Sequence, residues 1–151
     1  MKIQAADGAW VACDVYDKGR DRVVVISPGF LQHKRSLGIR ELIEGLSSTY
    51  DVIALDYRGT GESTGFYAYS AREHADLHAV LQFAKRRWKR VGVVGISLGA
   101  AIAINELSEH PLADSLVTIS APMAFWEIEK QGGVKMTSVA MSEMSWGIRL
   151  D

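Results

Sequence analysis

The run Val91-Gly92-Val93-Val94-Gly95-Ile96-Ser97-Leu98-Gly99-Ala100-Ala101 holds the residues best suited to chemistry. An apolar, β-rich stretch meets Gly-Ile-Ser-Leu-Gly, and a small-residue helical stretch through Ala103 follows at once. A serine with a glycine two positions to either side, on a strand-to-helix turn, has the pattern of a nucleophile elbow. Such a turn is sharp enough that bulk at Gly95 or Gly99 would strike the helix or the strand. The hydroxyl of Ser97 then stands above the strand's carboxyl end, near the positive end of the new helix. The pentapeptide alone arises often by chance. The strand before it and the helix after it make it informative.

Other polar residues offer weaker chemistry. His74 and His78 stand at i, i+4 with Asp76 between them, a spacing that also occurs on two-ligand metal faces. Solvated helix surface accounts for that pair more simply, so no metal and no cofactor is expected. His33 follows the Pro28-Gly29-Phe30 turn and is the one histidine expected on Ser97's side of the sheet. It has a case as a base, although a pocket rim or the surface suits it better. Gly59 and Gly61 after a strand could suggest a nucleotide, but the segment lacks the full glycine spacing, an immediate helix and a P-loop lysine.

The elements that would position Ser97 can be read from periodicity. Residues 2–17 fit two short strands around Asp7-Gly8. Val23-Val24-Val25-Ile26 is a β-branched run of the kind buried on both faces of a parallel sheet, ending in the turn Ser27-Pro28-Gly29-Phe30. Ile39, Leu42, Ile43 and Leu46 share one face of a helix over 36–48. A strand over 50–55 leads into Asp56-Tyr57-Arg58-Gly59-Thr60-Gly61-Glu62-Ser63. Ser70 with Glu73 has the spacing of a capping box opening a second helix, which carries Leu77, Val80, Leu81, Ala84 and Trp88 and ends in Lys85, Arg86 and Arg87. The elbow strand and helix follow, the latter ended by His110-Pro111, and a last strand covers 115–119. Strands alternating with helices imply a mostly parallel α/β sheet with helices on both faces.

Composition narrows the class. The 151 residues suffice for one domain with a real core, and 48% apolar with 23% charged residues is ordinary for a globular protein. A net charge of −1 gives no case for nucleic acid or for an acidic membrane surface. No run is long enough to span a bilayer or to form a signal-peptide core. The single Cys13 forms no internal disulfide and suits a cytoplasmic location, with packing its expected role. Beyond Met123 the periodicity stops, and residues 123–151 read as the start of a lid or an irregular tail after a 1–122 domain.

Four features in register make the chain resemble the N-terminal part of an α/β-hydrolase, close to the esterase and serine-aminopeptidase-like branch. They are Pro28-Gly29-Phe30 after the third strand, Asp56 to Ser63 after the fourth, the Gly95–Gly99 elbow, and their order and spacing. The resemblance implies that Ser97 attacks a carbonyl carbon and forms an acyl-enzyme. It implies an oxyanion hole from the backbone N–H groups of Leu98 and Phe30. Most members carry His-Gly where this chain has Pro28-Gly29, but the expected donor is Phe30 and is unaffected. Phe30, Leu31 and His33 are candidates to line an acyl pocket, and Asp56 and Arg58 resemble loop-bracing residues.

The resemblance also exposes a gap. In this fold the acid and then the histidine follow the serine. No histidine follows His110, and the turn Ser120-Ala121-Pro122 has no carboxylate. The reading is therefore a C-terminally shortened hydrolase whose last strands are absent. Alone it would retain about 10³–10⁴-fold catalysis from an oxyanion hole, and its strand at 115–119 would form an open edge for self-association. The function expected is a serine hydrolase scaffold for a small carboxylic ester, thioester or amide. The competing class is a non-catalytic, truncated or pseudo-enzyme domain that binds small hydrophobic acyl compounds.

Overall fold

The computed structural model of the protein describes residues 1–122. Six strands form one sheet: β1 (Lys2–Gln4), β2 (Trp10–Tyr16), β3 (Arg22–Ser27), β4 (Asp51–Leu55), β5 (Arg90–Ile96) and β6 (Ser115–Ile119). Their spatial order is β1-β2-β4-β3-β5-β6. The two hairpin strands run antiparallel to their neighbours, whereas β4, β3, β5 and β6 are mutually parallel. The mostly parallel α/β architecture is therefore as the sequence implied. The lid or tail expected over 123–151 lies outside the described residues.

Parallel strands must be linked by crossovers, and three helices supply them. They are α1 (Leu37–Leu46), α2 (Glu73–Arg87) and α3 (Leu98–Glu109). Alternation along the strands explains why both faces of the sheet are covered. Val23 and Val25 point with Ile53, Leu55, Val91 and Val93 into a core closed by Leu77, Val80 and Leu81 of α2 and by Ala101 and Ile102 of α3. Ile26, Val52 and Ala54 face the other way, onto Ile39 and Ile43 of α1. Among the described residues no helix is long and apolar enough to cross a membrane, and β6 pairs only with β5.

Polar groups hold the lower end of the sheet. The buried Asp51 carboxylate accepts hydrogen bonds from the N–H groups of Lys18 and Arg20 and from the indole of Trp88, at 2.9, 3.1 and 2.8 Å. The start of α2 departs from the capping-box reading. Arg72 takes the N-cap position, so Glu73 is the first helical residue rather than the third. The buried Glu73 carboxylate accepts from the Ala68 N–H at 2.6 Å, which turns the preceding loop onto the helix.

Cys13 is buried in β2, as its packing role requires. Burial pushes its thiol up to about 12 from 9.0. The unfolded chain releases this proton above pH 9 and the folded chain holds it. The resulting stabilisation is full below pH 9 and is lost as the pH climbs toward 12. Cys13→Ala is expected to flatten this alkaline fall in urea denaturation profiles. In the native wild type at neutral pH, alkylation of Cys13 should be roughly a thousandfold slower than in the unfolded chain.

Candidate functional site

β5 delivers Ser97 to the carboxyl edge of the sheet, and α3 starts on the next residue. The turn between them is tight: Ser97 has φ 49° and ψ −118°, a conformation costly for a residue with a side chain. Its N–H donates to the Ile119 carbonyl of β6 at 2.8 Å, which fixes the strained residue from below. The side chain is half-buried. Among the described residues no base bonds to the Ser97 hydroxyl.

Small residues around the turn have direct steric causes. A Cβ on Gly95 would lie 2.5 Å from the Cα of Ala100. A Cβ on Gly99 would collide with the carbonyl oxygens of Ser27 and Pro28. Backbone cannot yield as a flexible side chain can, so α3 would be pushed off the end of β3. The same interface is fastened by the buried Ser27 hydroxyl, which bonds to the Gly99 carbonyl at 2.8 Å and to the Tyr57 hydroxyl at 2.6 Å. Gly99→Ala is expected to lower stability by about 1–3 kcal/mol. A urea midpoint within error of the wild type would contradict this explanation of the packing.

The turn after β3 comes alongside Ser97. A Cβ on Gly29 would be 3.4 Å from the Cβ of Ser97 and 3.2 Å from the Ile96 carbonyl. The Gly29 N–H is taken by the Gln32 side-chain oxygen at 2.8 Å. By contrast, among the described residues the N–H groups of Phe30 and Leu98 donate to no protein acceptor. Phe30, in the turn after β3, and Leu98, at the start of α3, thus hold N–H groups without a protein acceptor next to the serine turn.

Aromatic rings wall the same loop. Phe30 stacks on Tyr69 at 5.7 Å between centroids and meets Tyr67 edge-on at 5.6 Å, while Tyr67 and Tyr69 are 5.4 Å apart. Burial raises the pKa of the Tyr67 hydroxyl well above its ordinary value. Sequence reasoning missed both tyrosines, which reach the loop from about forty residues away. Of the pocket residues it did name, Leu31 is largely exposed at 65% and His33 is half-buried. His33 accepts the Arg35 N–H at Nδ1, 3.2 Å.

Two ion-pair systems brace the loops. Lys34, 2% exposed, reaches the buried Asp56 carboxylate at 2.6 Å and also pairs with Glu62. Burial opposes the lysine charge, but Asp56 and Glu62 together outweigh it and raise its pKa. Asp56 further accepts the N–H groups of Lys34 and Glu62, at 2.7 and 2.9 Å. Gly61, at φ +51°, is needed because a Cβ there would strike this carboxylate. That duty accounts for a glycine otherwise readable as part of a nucleotide loop. Arg58 bonds to Asp76 of α2 at 2.7 Å and to Asp7 at 2.5 Å, so it ties the same loop to α2 and to the β1–β2 turn. The bracing roles expected of Asp56 and Arg58 match this geometry; their partner Lys34 carried no signal in sequence.

The remaining histidines lie elsewhere. His74 is exposed, and Asp76 beside it is committed to Arg58. His78 turns instead toward α3, where its Nδ1 lies 2.6 Å from Glu106 Oε1.

Known proteins share this fold. A family model described as the alpha/beta hydrolase fold matches residues 22–137. An esterase of Pyrococcus furiosus superposes with a TM-score of 0.77 at 27% identity, over 95% of this chain and 62% of the esterase. An esterase of Exiguobacterium antarcticum superposes with a TM-score of 0.70 at 26% identity, over 82% of this chain and 46% of its own. An esterase of Butyrivibrio proteoclasticus with ferulic acid bound, 20% identical with a TM-score of 0.76, shares the fold over 89% of this chain and 57% of its own. No curated protein sequence matches. The chain spans 62% of the length of the first of these esterases.

Proposed function

The chain belongs to the alpha/beta hydrolase fold family, and from that premise we propose that Ser97 is the nucleophile of a carboxylic ester hydrolase. The observation that carries this reading is the strained Ser97 turn, φ 49°, set beside the unengaged N–H groups of Phe30 and Leu98. The strained turn presents the Ser97 hydroxyl at a helix N-terminus. Attack by Ser97 on an ester carbonyl would put negative charge on the carbonyl oxygen, where the two N–H donors stabilise it. Departure of the alcohol would leave the acyl group on the serine. Phe30, Tyr67 and Tyr69 offer that acyl group an apolar wall, which favours small apolar acyl esters over charged ones.

A complete cycle needs an acid and a histidine base after the serine in chain order. The 151 residues contain no histidine beyond His110, so none of their histidines stands at the base's place in that order. Within them, acylation by an activated ester needs Ser97 and the oxyanion donors, with water taking the hydroxyl proton and the activated alcohol leaving as its anion. The test is release of p-nitrophenol from p-nitrophenyl butyrate by the purified chain and by Ser97→Ala. A Ser97-dependent rate supports the reading. Equal rates from the two proteins support the second reading, a non-catalytic domain binding acyl compounds, which the absence of a base around Ser97 among the described residues favours.

A further inference from the structure

We propose that His78, Glu106 and His110 form a binding site for a divalent transition metal such as zinc, pinning the end of α3 to α2. The three ligand atoms lie within 4.8 Å of one another. Glu106 and His110 are one helical turn apart at the end of α3, with His110 as its C-cap residue. That places a carboxylate and an imidazole on one face, as chelating pairs require. His78 comes from the facing side of α2 and supplies the third ligand.

The distances suit a metal. Glu106 Oε1 is 2.6 Å from His78 Nδ1 and 3.1 Å from His110 Nδ1. Around a tetrahedral zinc with bonds of about 2.0–2.1 Å, neighbouring ligand atoms stand about 3.3 Å apart. The Glu106 carboxylate therefore needs to draw back from His78 Nδ1 by less than an ångström and from His110 Nδ1 by less still, while the two imidazoles already lie within 4.8 Å of one another. The rings are 4.7 Å apart between centroids and inclined at 72°, and the Nδ1 atoms of both lie beside the same Glu106 oxygen.

Charge points the same way. Glu106 is 2% exposed, and a buried carboxylate needs a cation close by. Among the described residues the groups that meet it are these two imidazoles. Two imidazoles and one carboxylate select zinc, cobalt or nickel over calcium or magnesium, which prefer oxygen ligands. His110, half-exposed, leaves the fourth position open to water. The site lies at the end of α3 opposite Ser97, so it is separate from the acyl chemistry proposed above.

The test is titration of the 151-residue chain with cobalt(II), followed by zinc displacement and thermal unfolding with zinc present. The expected result is one cobalt per chain with the visible spectrum of a four-coordinate site, displaced by zinc, and a midpoint that rises with zinc concentration. His78→Ala and His110→Ala are expected to weaken binding at least tenfold and to abolish the zinc-dependent shift. His110 is at the surface, so its variant keeps the fold, and His74→Ala serves as a control that binds like wild type. Failure of the wild type to bind would overturn the proposal: the cluster would then be a hydrogen-bonded contact between helices. Binding left intact by both substitutions would overturn it too.

Discussion

Asp56→Ala is expected to lower the unfolding free energy by about 3–5 kcal/mol, the cost of stripping one partner from a buried ion pair. The Lys34 ammonium would remain 2% exposed, with Glu62 as its remaining carboxylate. Glu62 has a half-exposed side chain, so water and salt weaken that attraction. The backbone N–H groups of Lys34 and Glu62 would lose their acceptor as well. The double variant Asp56→Ala/Lys34→Met is expected to recover part of the loss, because removing both charges leaves no stranded ion. Urea denaturation reads both effects, and a loss under about 1 kcal/mol for the single variant would contradict the role assigned to this pair. Lys34 lies four residues after Phe30, so the same variant should also loosen the turn facing Ser97 and slow any acylation there.

The second large effect concerns Ser97 itself. With its base supplied, removal of the Ser97 hydroxyl is expected to reduce ester cleavage about a thousandfold or more, down to whatever the oxyanion donors supply alone; in the 151 residues by themselves the drop is smaller, because triad members act as a unit. Ser97→Ala and Ser97→Gly should be equally inactive yet differ in stability. At φ 49° and ψ −118° the backbone suits glycine and strains any residue with a Cβ. Ser97→Gly is therefore expected to be more stable than Ser97→Ala by about 1 kcal/mol, with thermal unfolding as the readout. A serine where glycine would be more stable supports the proposal that its hydroxyl serves chemistry. Equal stability of the two variants would remove that support.

How far the sequence could be read depended on whether a signal was local. The strands β3 to β6 and the three helices follow from short-range periodicity, and their order was sufficient to imply a parallel sheet. The elbow was legible because its glycines are required by contacts within a few residues of Ser97, together with the close passage of Ser27 and Pro28. Asp56 and Arg58 were recognisable as braces from the segment that carries them. Their partners were not. Lys34 reads as an ordinary loop lysine until a carboxylate 22 residues away buries it. Tyr67 and Tyr69 meet Phe30 only after the loop preceding α2 folds back. The capping-box expectation failed for a related reason: that loop, held to the Glu73 carboxylate through the Ala68 N–H, sets the helix start at Arg72 instead of Ser70. His78 paired across helices with Glu106 rather than along its own helix with His74. Periodicity along one helix cannot reveal such a partner.

Acylation of Ser97 is the most direct sign of a nucleophile, and it can be observed without full turnover. The purified chain would be incubated with p-nitrophenyl acetate and its intact mass followed, with peptide mapping to locate the adduct. The prediction is a single acetyl group on Ser97, absent from Ser97→Ala and formed more slowly when Asp56 is replaced. Acetylation at lysines alone, or at the same rate in Ser97→Ala, would contradict the claim that this turn exists to present a nucleophile.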